Sequence, residues 1–128
     1  MDFIGKKLFN RTTEVLQRSM DIRTSRNRVL SSNIANSETP NFVSKDVPFE
    51  KILERSIQNQ SLIGLDRTHP QHFPGGLNTE IELESGSEAV NIDKEMAKLA
   101  ENNLRFQADV QALVKKFEGL KYVIEGGR

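Results

Sequence analysis

From Ile92 onward the chain repeats every seven residues. Ile92, Leu99, Phe106, Leu113 and Leu120 form one row; Met96, Asn103, Val110, Phe117 and Ile124 form a second, and nine of these ten positions are apolar. Alternating steps of four and three keep both rows on one stripe of an α-helix, and a helix carrying such a stripe must bury it against a partner helix. The pattern predicts a helix over residues 91–124, about 50 Å long at 1.5 Å per residue. Gly126 and Gly127 supply its stop, because glycine takes the left-handed C-cap conformation without strain. Asn103 is the one polar member. It has two open readings: a residue that fixes register and partner number, or a tolerated polar position beside a solvated gap.

The N-terminal segment repeats the idea with a narrower stripe. Leu8, Val15, Ile22 and Val29 are spaced by seven, whereas the companion row of Thr12, Ser19, Arg26 and Asn33 is polar. Arg18, Arg23, Arg26 and Arg28 flank the apolar row in a helix expected over residues 6–35. Such a helix could pack on an ordinary domain core. Alternatively, the two terminal helices pack on each other and on neighbouring chains. Size favours the second reading: residues 6–35 and 91–124 occupy half of the 128-residue chain. A lone helical hairpin with one apolar seam has little core, and there is no cysteine to staple it, so association is the remaining common support. Charge points the same way. Residues 1–36 carry seven Lys/Arg against three Asp/Glu, residues 37–79 four against five, and residues 80–128 seven against ten. Opposite ends of opposite sign guide pairing, screened by salt.

Between the helices the character changes. Pro40 pushes Thr39 out of helical conformation and Asn41 tolerates a left-handed turn. Residues 42–47 read as a short extended piece, and Phe49, Ile52, Leu53 and Ile57 line one face of a short helix with Pro48 in its first turn. Residues 60–78 are broken by Pro70, Pro74, Gly75 and Gly76, and residues 79–84 alternate as a half-exposed strand would. The chain therefore divides into an N-terminal helix (1–36), a small loop-rich insert with a short helix and β-ribbon (37–90), and a C-terminal heptad helix (91–128). The fold class is mainly α, two long terminal helices pairing as a coiled-coil-like hairpin.

Little of the chain suggests chemistry. His69 and His72 are the only histidines, with Asp66 the sole nearby carboxylate, short of the three or four ligands zinc needs. Phosphate-binding glycine loops, nucleophile elbows and His-Glu-x-x-His patterns are absent from the sequence. Glu80, Glu82 and Glu84 fit a solvated strand face. Zero net charge argues against a general nucleic-acid binder, and Glu14 and Asp21 interrupt the basic run of the first helix. No stretch reaches the roughly 18 apolar residues of a membrane span. The first eight residues lack the apolar core of a secretory signal. The chain is thus expected to stay in the cytoplasm, or to leave by a route that removes no signal peptide. No catalytic residue, cofactor or metal is expected.

One stretch is more specific. Asn33-Ile34-Ala35-Asn36-Ser37-Glu38-Thr39-Pro40-Asn41-Phe42, preceded by Leu30-Ser31-Ser32, resembles the N-terminal signature of the bacterial flagellar rod and hook proteins. That signature runs Asn-Ile-Ala-Asn, two variable residues, Thr-Pro, usually Gly, then an aromatic. The departure is Asn41, and Asn is the best non-glycine residue for a left-handed position. Residues 90–102, beginning Val90-Asn91-Ile92-Asp93-Lys94-Glu95-Met96, look like the start of that family's C-terminal helix, and the short length is similar to a proximal rod protein. The resemblance covers both helices and the turn after the first.

It implies a structural subunit of the proximal rod of the flagellar basal body. Such a subunit is exported through the flagellar type III apparatus without signal cleavage and assembles in the periplasm. Its terminal helices, commonly disordered beforehand, would form the inner coiled-coil layer of a helical tube that transmits motor torque. Implied partners are further copies of the chain, other rod proteins, and the basal-body ring and adaptor proteins at the rod base. No nucleic acid and no membrane insertion is implied. Asn33, Ala35, Asn36, Thr39, Pro40 and Phe42 carry over as the assembly-motif positions. From the residues alone, the alternative is a cytoplasmic coiled-coil adaptor or export chaperone that binds a partner helix.

Overall fold

A computed structural model describes residues 11–58 and 83–126. Its elements run α1 (Arg11–Ala35), β1 (Val43–Asp46), α2 (Phe49–Gln58), β2 (Glu84–Ala89) and α3 (Ile92–Ile124). The fold is mainly helical: α1 and α3 pack lengthwise against each other, and a two-stranded antiparallel ribbon lies between them in sequence. The sequence places both long helices correctly. Residues 6–10 of the first, Leu8 among them, lie outside the described residues, as do His69, His72 and Asp66.

Each boundary has a local cause. At the start of α3, Asn91 is extended (φ −100°, ψ 109°) and its side-chain oxygen accepts the Lys94 N–H at 3.1 Å. Asp93 and Glu95 in the first turn suit the positive end of the helix. At its far end Gly126 takes φ 71°, and its N–H reaches the Val123 carbonyl at 3.2 Å. The heptad therefore runs until glycine ends it.

The segment after α1 is a chain of small turns. Asn36 N–H donates to the Ser32 carbonyl at 3.0 Å and its side-chain amide to the same oxygen at 2.8 Å. Thr39 N–H then donates to the Asn36 carbonyl at 3.0 Å, and Phe42 N–H to the Thr39 carbonyl at 3.2 Å. Pro40 and Asn41 occupy the centre of that last turn, with Asn41 at φ 61°. Proline followed by a left-handed residue is the type II arrangement. This is why a glycine is usual where Asn41 stands.

The insert contains the expected ribbon. Most of the strand predicted at 79–84 lies outside the described residues (79–82), and the described strand β2 runs over Glu84–Ala89, a polar stretch exposed throughout. Its position is set by pairing, with Val43 opposite Ala89, Lys45 opposite Ser85 and Asp46 opposite Glu84. An irregularity between Val43 and Lys45 brings Gly86 close to β1; a Cβ there would lie 2.8 Å from Ser44 Oγ. Backbone pairing, not side-chain pattern, selects this strand. Helix α2 forms as its apolar spacing requires, with Phe49, Ile52, Leu53 and Ile57 half-buried.

Among the described residues only Ile22, Leu30 and Val47 are buried apolar side chains, whereas Ser19, Arg23, Asn33, Ser56, Glu95 and Asn102 are buried polar ones. The core is small and unusually polar. Asn41→Gly is expected to leave stability unchanged or slightly raised, and Asn41→Val to lower it by about 1–2 kcal/mol. Urea denaturation of both variants checks this.

Candidate assembly interface

Two long helices can meet through any of their faces, and polar groups decide which. On α1 the polar row includes Ser19, Arg26 and Asn33; on α3 a matching row, also seven apart, includes Glu95, Asn102 and Asp109. Ser19 Oγ donates to Asp109 Oδ2 at 2.6 Å, and Arg23 Nε donates to the same oxygen at 3.0 Å. Asn102 Nδ2 donates to the Arg23 carbonyl at 2.8 Å, and Asn33 Nδ2 to Glu95 Oε2 at 2.9 Å. Stepping along α1 by fourteen residues, from Ser19 to Asn33, steps back along α3 by fourteen, from Asp109 to Glu95. The helices are thus antiparallel and in a single register. Stepping three residues from Ser19 and Asp109 puts Ile22 level with Phe106, which aligns Val15 with Leu113 and Val29 with Leu99.

A second polar cluster joins the hairpin to the insert. Arg26 holds Asp46 with two hydrogen bonds, Nε to Oδ1 at 2.8 Å and Nη2 to Oδ2 at 3.1 Å. Lys98 Nζ lies 3.7 Å from Asp46 Oδ2 and 3.2 Å from Glu95 Oε1. Burial pushes the Asp46 carboxyl up, but the Arg26 hydrogen bonds, the Val47 N–H and the charges of Arg26 and Lys98 outweigh it. The group is held below the ordinary carboxylate value. Asp21 has burial alone acting on it and is pushed up. Arg23 also lies over the Phe49 ring, 4.0 Å from its centroid, and Arg18 donates to the Ser56 carbonyl and pairs with Glu14. The basic run of α1 is therefore largely spent inside the molecule.

The residues singled out from sequence divide sharply. Ile22 is buried, and Val15 and Val29 are half-buried, all on the side of α1 that its partners cover. On α3, Leu99, Phe106, Val110, Leu113 and Leu120 are half-buried. Ile92, Met96 and Phe117 remain 47%, 53% and 45% exposed, and Ile124 is 74% exposed. From Leu99 onward the first row faces α1, whereas Ile92 and most of the second row do not. Asn103 belongs to the exposed set, while its neighbour Asn102 is 1% exposed. Of the motif positions, Asn33 is buried, Asn36 and Phe42 are half-buried, and Ala35, Thr39 and Pro40 are exposed. Glu95, Asn102 and Asp109 were not singled out from sequence. Their seven-residue spacing was visible, but a polar row reads as a solvated face until its partner row is known. Among the described residues no group of acidic or histidine side chains could hold a metal ion, and no helix is long and apolar enough to cross a membrane.

The fold is thus an antiparallel helical hairpin pinned by a polar seam, with the Asn-Ile-Ala-Asn…Thr-Pro segment closing its first helix. No family-wide sequence model matches the chain. Individual proteins do. The flagellar basal body rod protein FlgB of Bacillus subtilis is 31% identical over 127 residues, covering 94% of this chain and 98% of the relative. FlgB of Aeromonas hydrophila is 30% identical, with 92% and 96% covered, and FlgB of Escherichia coli is 28% identical, with 87% and 91% covered. The chain belongs to the flagellar basal body rod protein FlgB family.

Two outcomes follow from the seam. Asp109→Ala strands the buried Arg23 and Ser19 and is expected to cost about 3 kcal/mol, read by urea denaturation at neutral pH. Because Asp46 is depressed in the folded state, its contribution is complete above its unfolded value of about 4 and is lost as pH falls through the lower folded value. Asp46→Asn should therefore lower the urea midpoint at pH 7 and flatten its fall below pH 4.

Proposed function

We propose that the chain is a structural subunit of the proximal rod of the flagellar basal body, self-assembling through its terminal helices into a helical tube that transmits motor torque. One observation carries the reading. Helix α3 has two apolar rows, and its cover is partial: Leu99, Phe106, Leu113 and Leu120 of the first row and Val110 of the second are half-buried. Ile92, Met96, Phe117 and Ile124 remain exposed, spread along a helix of 33 residues. Apolar side chains spread along one face of a long helix mark a surface that binds another protein. A second copy of the chain supplies an equivalent stripe, and a heterologous contact that repeats without closing yields a helical filament.

In this reading the inner row and the polar seam hold each hairpin together, and the outer row joins hairpins. Ala35, Thr39 and Pro40, exposed after α1, would contact neighbouring copies, whereas Asn33 acts inside the subunit. The names of the matched relatives support a place in the basal body rod. Export through the flagellar type III apparatus without signal cleavage, a periplasmic location, and contacts with other rod, ring and adaptor proteins belong to the same proposal. The role is structural; none of the described contacts requires turnover.

The test is to replace outer-row residues without touching the seam. Met96→Asp with Phe117→Asp is expected to leave the circular dichroism and urea midpoint of the dilute protein within about 0.5 kcal/mol of the parent, as for exposed sites. Sedimentation and motility of a complemented deletion strain should then show assembly abolished. Normal motility with the double variant would sink the proposal. A stable dimer in dilute solution that the substitutions leave intact would favour the adaptor reading instead.

A further inference from the structure

We infer that Glu95 is a positioning residue for the motif segment: through Asn33 it ties the seating of β1 to the register of the two long helices. The inference concerns the single chain and stands whether or not the outer row of α3 meets a second copy.

The Asn33 side chain is 1% exposed and spends its amide in three directions. Nδ2 donates to the Lys45 carbonyl at 2.6 Å, and Oδ1 accepts the Lys45 N–H at 3.1 Å. A side-chain amide thus takes the place of a neighbouring strand along the outer edge of β1. The second Nδ2 hydrogen goes to Glu95 Oε2 at 2.9 Å. Glu95 is 2% exposed, and its other oxygen accepts from Lys98 Nζ at 3.2 Å. Lys98 lies 3.7 Å from Asp46, next to Lys45 in β1. The path closes on itself through α3, α1 and β1, with one link across each pair of elements.

A buried carboxylate has exchanged water for these few donors, so losing one is costly. The apolar rows cannot supply the same discrimination. Because they repeat every seven residues, a slip of one heptad brings apolar side chains opposite apolar side chains again. The same slip displaces Asn33 from Glu95 by about 10 Å at 1.5 Å per residue. Glu95 would then lose its amide donor, and an Asn33 that moved with α1 would leave the edge of β1. Correct register and a seated β1 are therefore satisfied together.

Amide hydrogen exchange of the full chain tests this at one reporter, the Lys45 N–H, which Glu95 does not touch. Glu95→Ala is expected to speed Lys45 exchange about tenfold beyond any change at α2 amides, a selective opening and not a general loss of stability. Glu95→Gln keeps an oxygen for Asn33 and should restore protection. An unchanged Lys45 rate in Glu95→Ala, or a glutamine variant as fast as alanine, would overturn the inference. Should Glu95→Ala not fold, the unmodified chain answers. Lys45 and the amides of residues 95–102 should open together, with the same dependence of exchange on denaturant. A Lys45 amide that opens independently of denaturant while those helical amides stay protected overturns it equally.

Discussion

The hairpin depends on a row of polar contacts buried where apolar ones would be ordinary. Ser19 and Arg23 on Asp109, Asn102 on the Arg23 carbonyl, and Asn33 on Glu95 are spread along the interface of α1 and α3. Buried polar groups stabilise little in net terms, since each bond replaces one made to water. They still mark one alignment, because the Ser19–Asp109 and Asn33–Glu95 bonds are made together only in this register. Only three described apolar side chains are buried, so the seam spends a modest core on specificity. A chain built this way is defined in shape without being strongly stable on its own.

That balance suits a protein whose remaining apolar surface lies along the same helix, beside the row that packs on α1. The rows of α3 are chemically alike, but the polar row beside Leu99, Phe106 and Leu113 matches α1 and so selects that row for the inside. Ile92, Met96, Phe117 and Ile124 are left facing outward. The division of one helix into an intramolecular side and an uncovered side is a consequence of where Glu95, Asn102 and Asp109 fall in the repeat.

The motif segment links this hairpin to the insert, and its residues do unlike jobs. Asn33 acts as a strand edge, Asn36 ends the helix on the Ser32 carbonyl, and Pro40 with Asn41 makes the turn that sends the chain into β1. Arg26 and Lys98, one from each long helix, then meet on Asp46, the next residue of β1. Val47 is the one buried apolar residue among the described residues of the insert, so these charged contacts carry much of its attachment to the hairpin.

Much of this was legible in the order of residues. The seven-residue repeat, Gly126 and the Thr-Pro-Asn run point to the two long helices, the stop of the second and the left-handed turn after the first, because capping and turn chemistry are local and need no partner to operate. The role of the second α3 row, the burial of Arg23 and Asn102, and the placing of β2 at Glu84–Ala89 were not legible. A heptad states which residues share a face, but not which face turns inward. A polar side chain such as Asn102 or Glu95 is buried only where another element brings the matching group within hydrogen-bond reach. That meeting joins residues more than sixty positions apart, and only the tertiary structure could decide it.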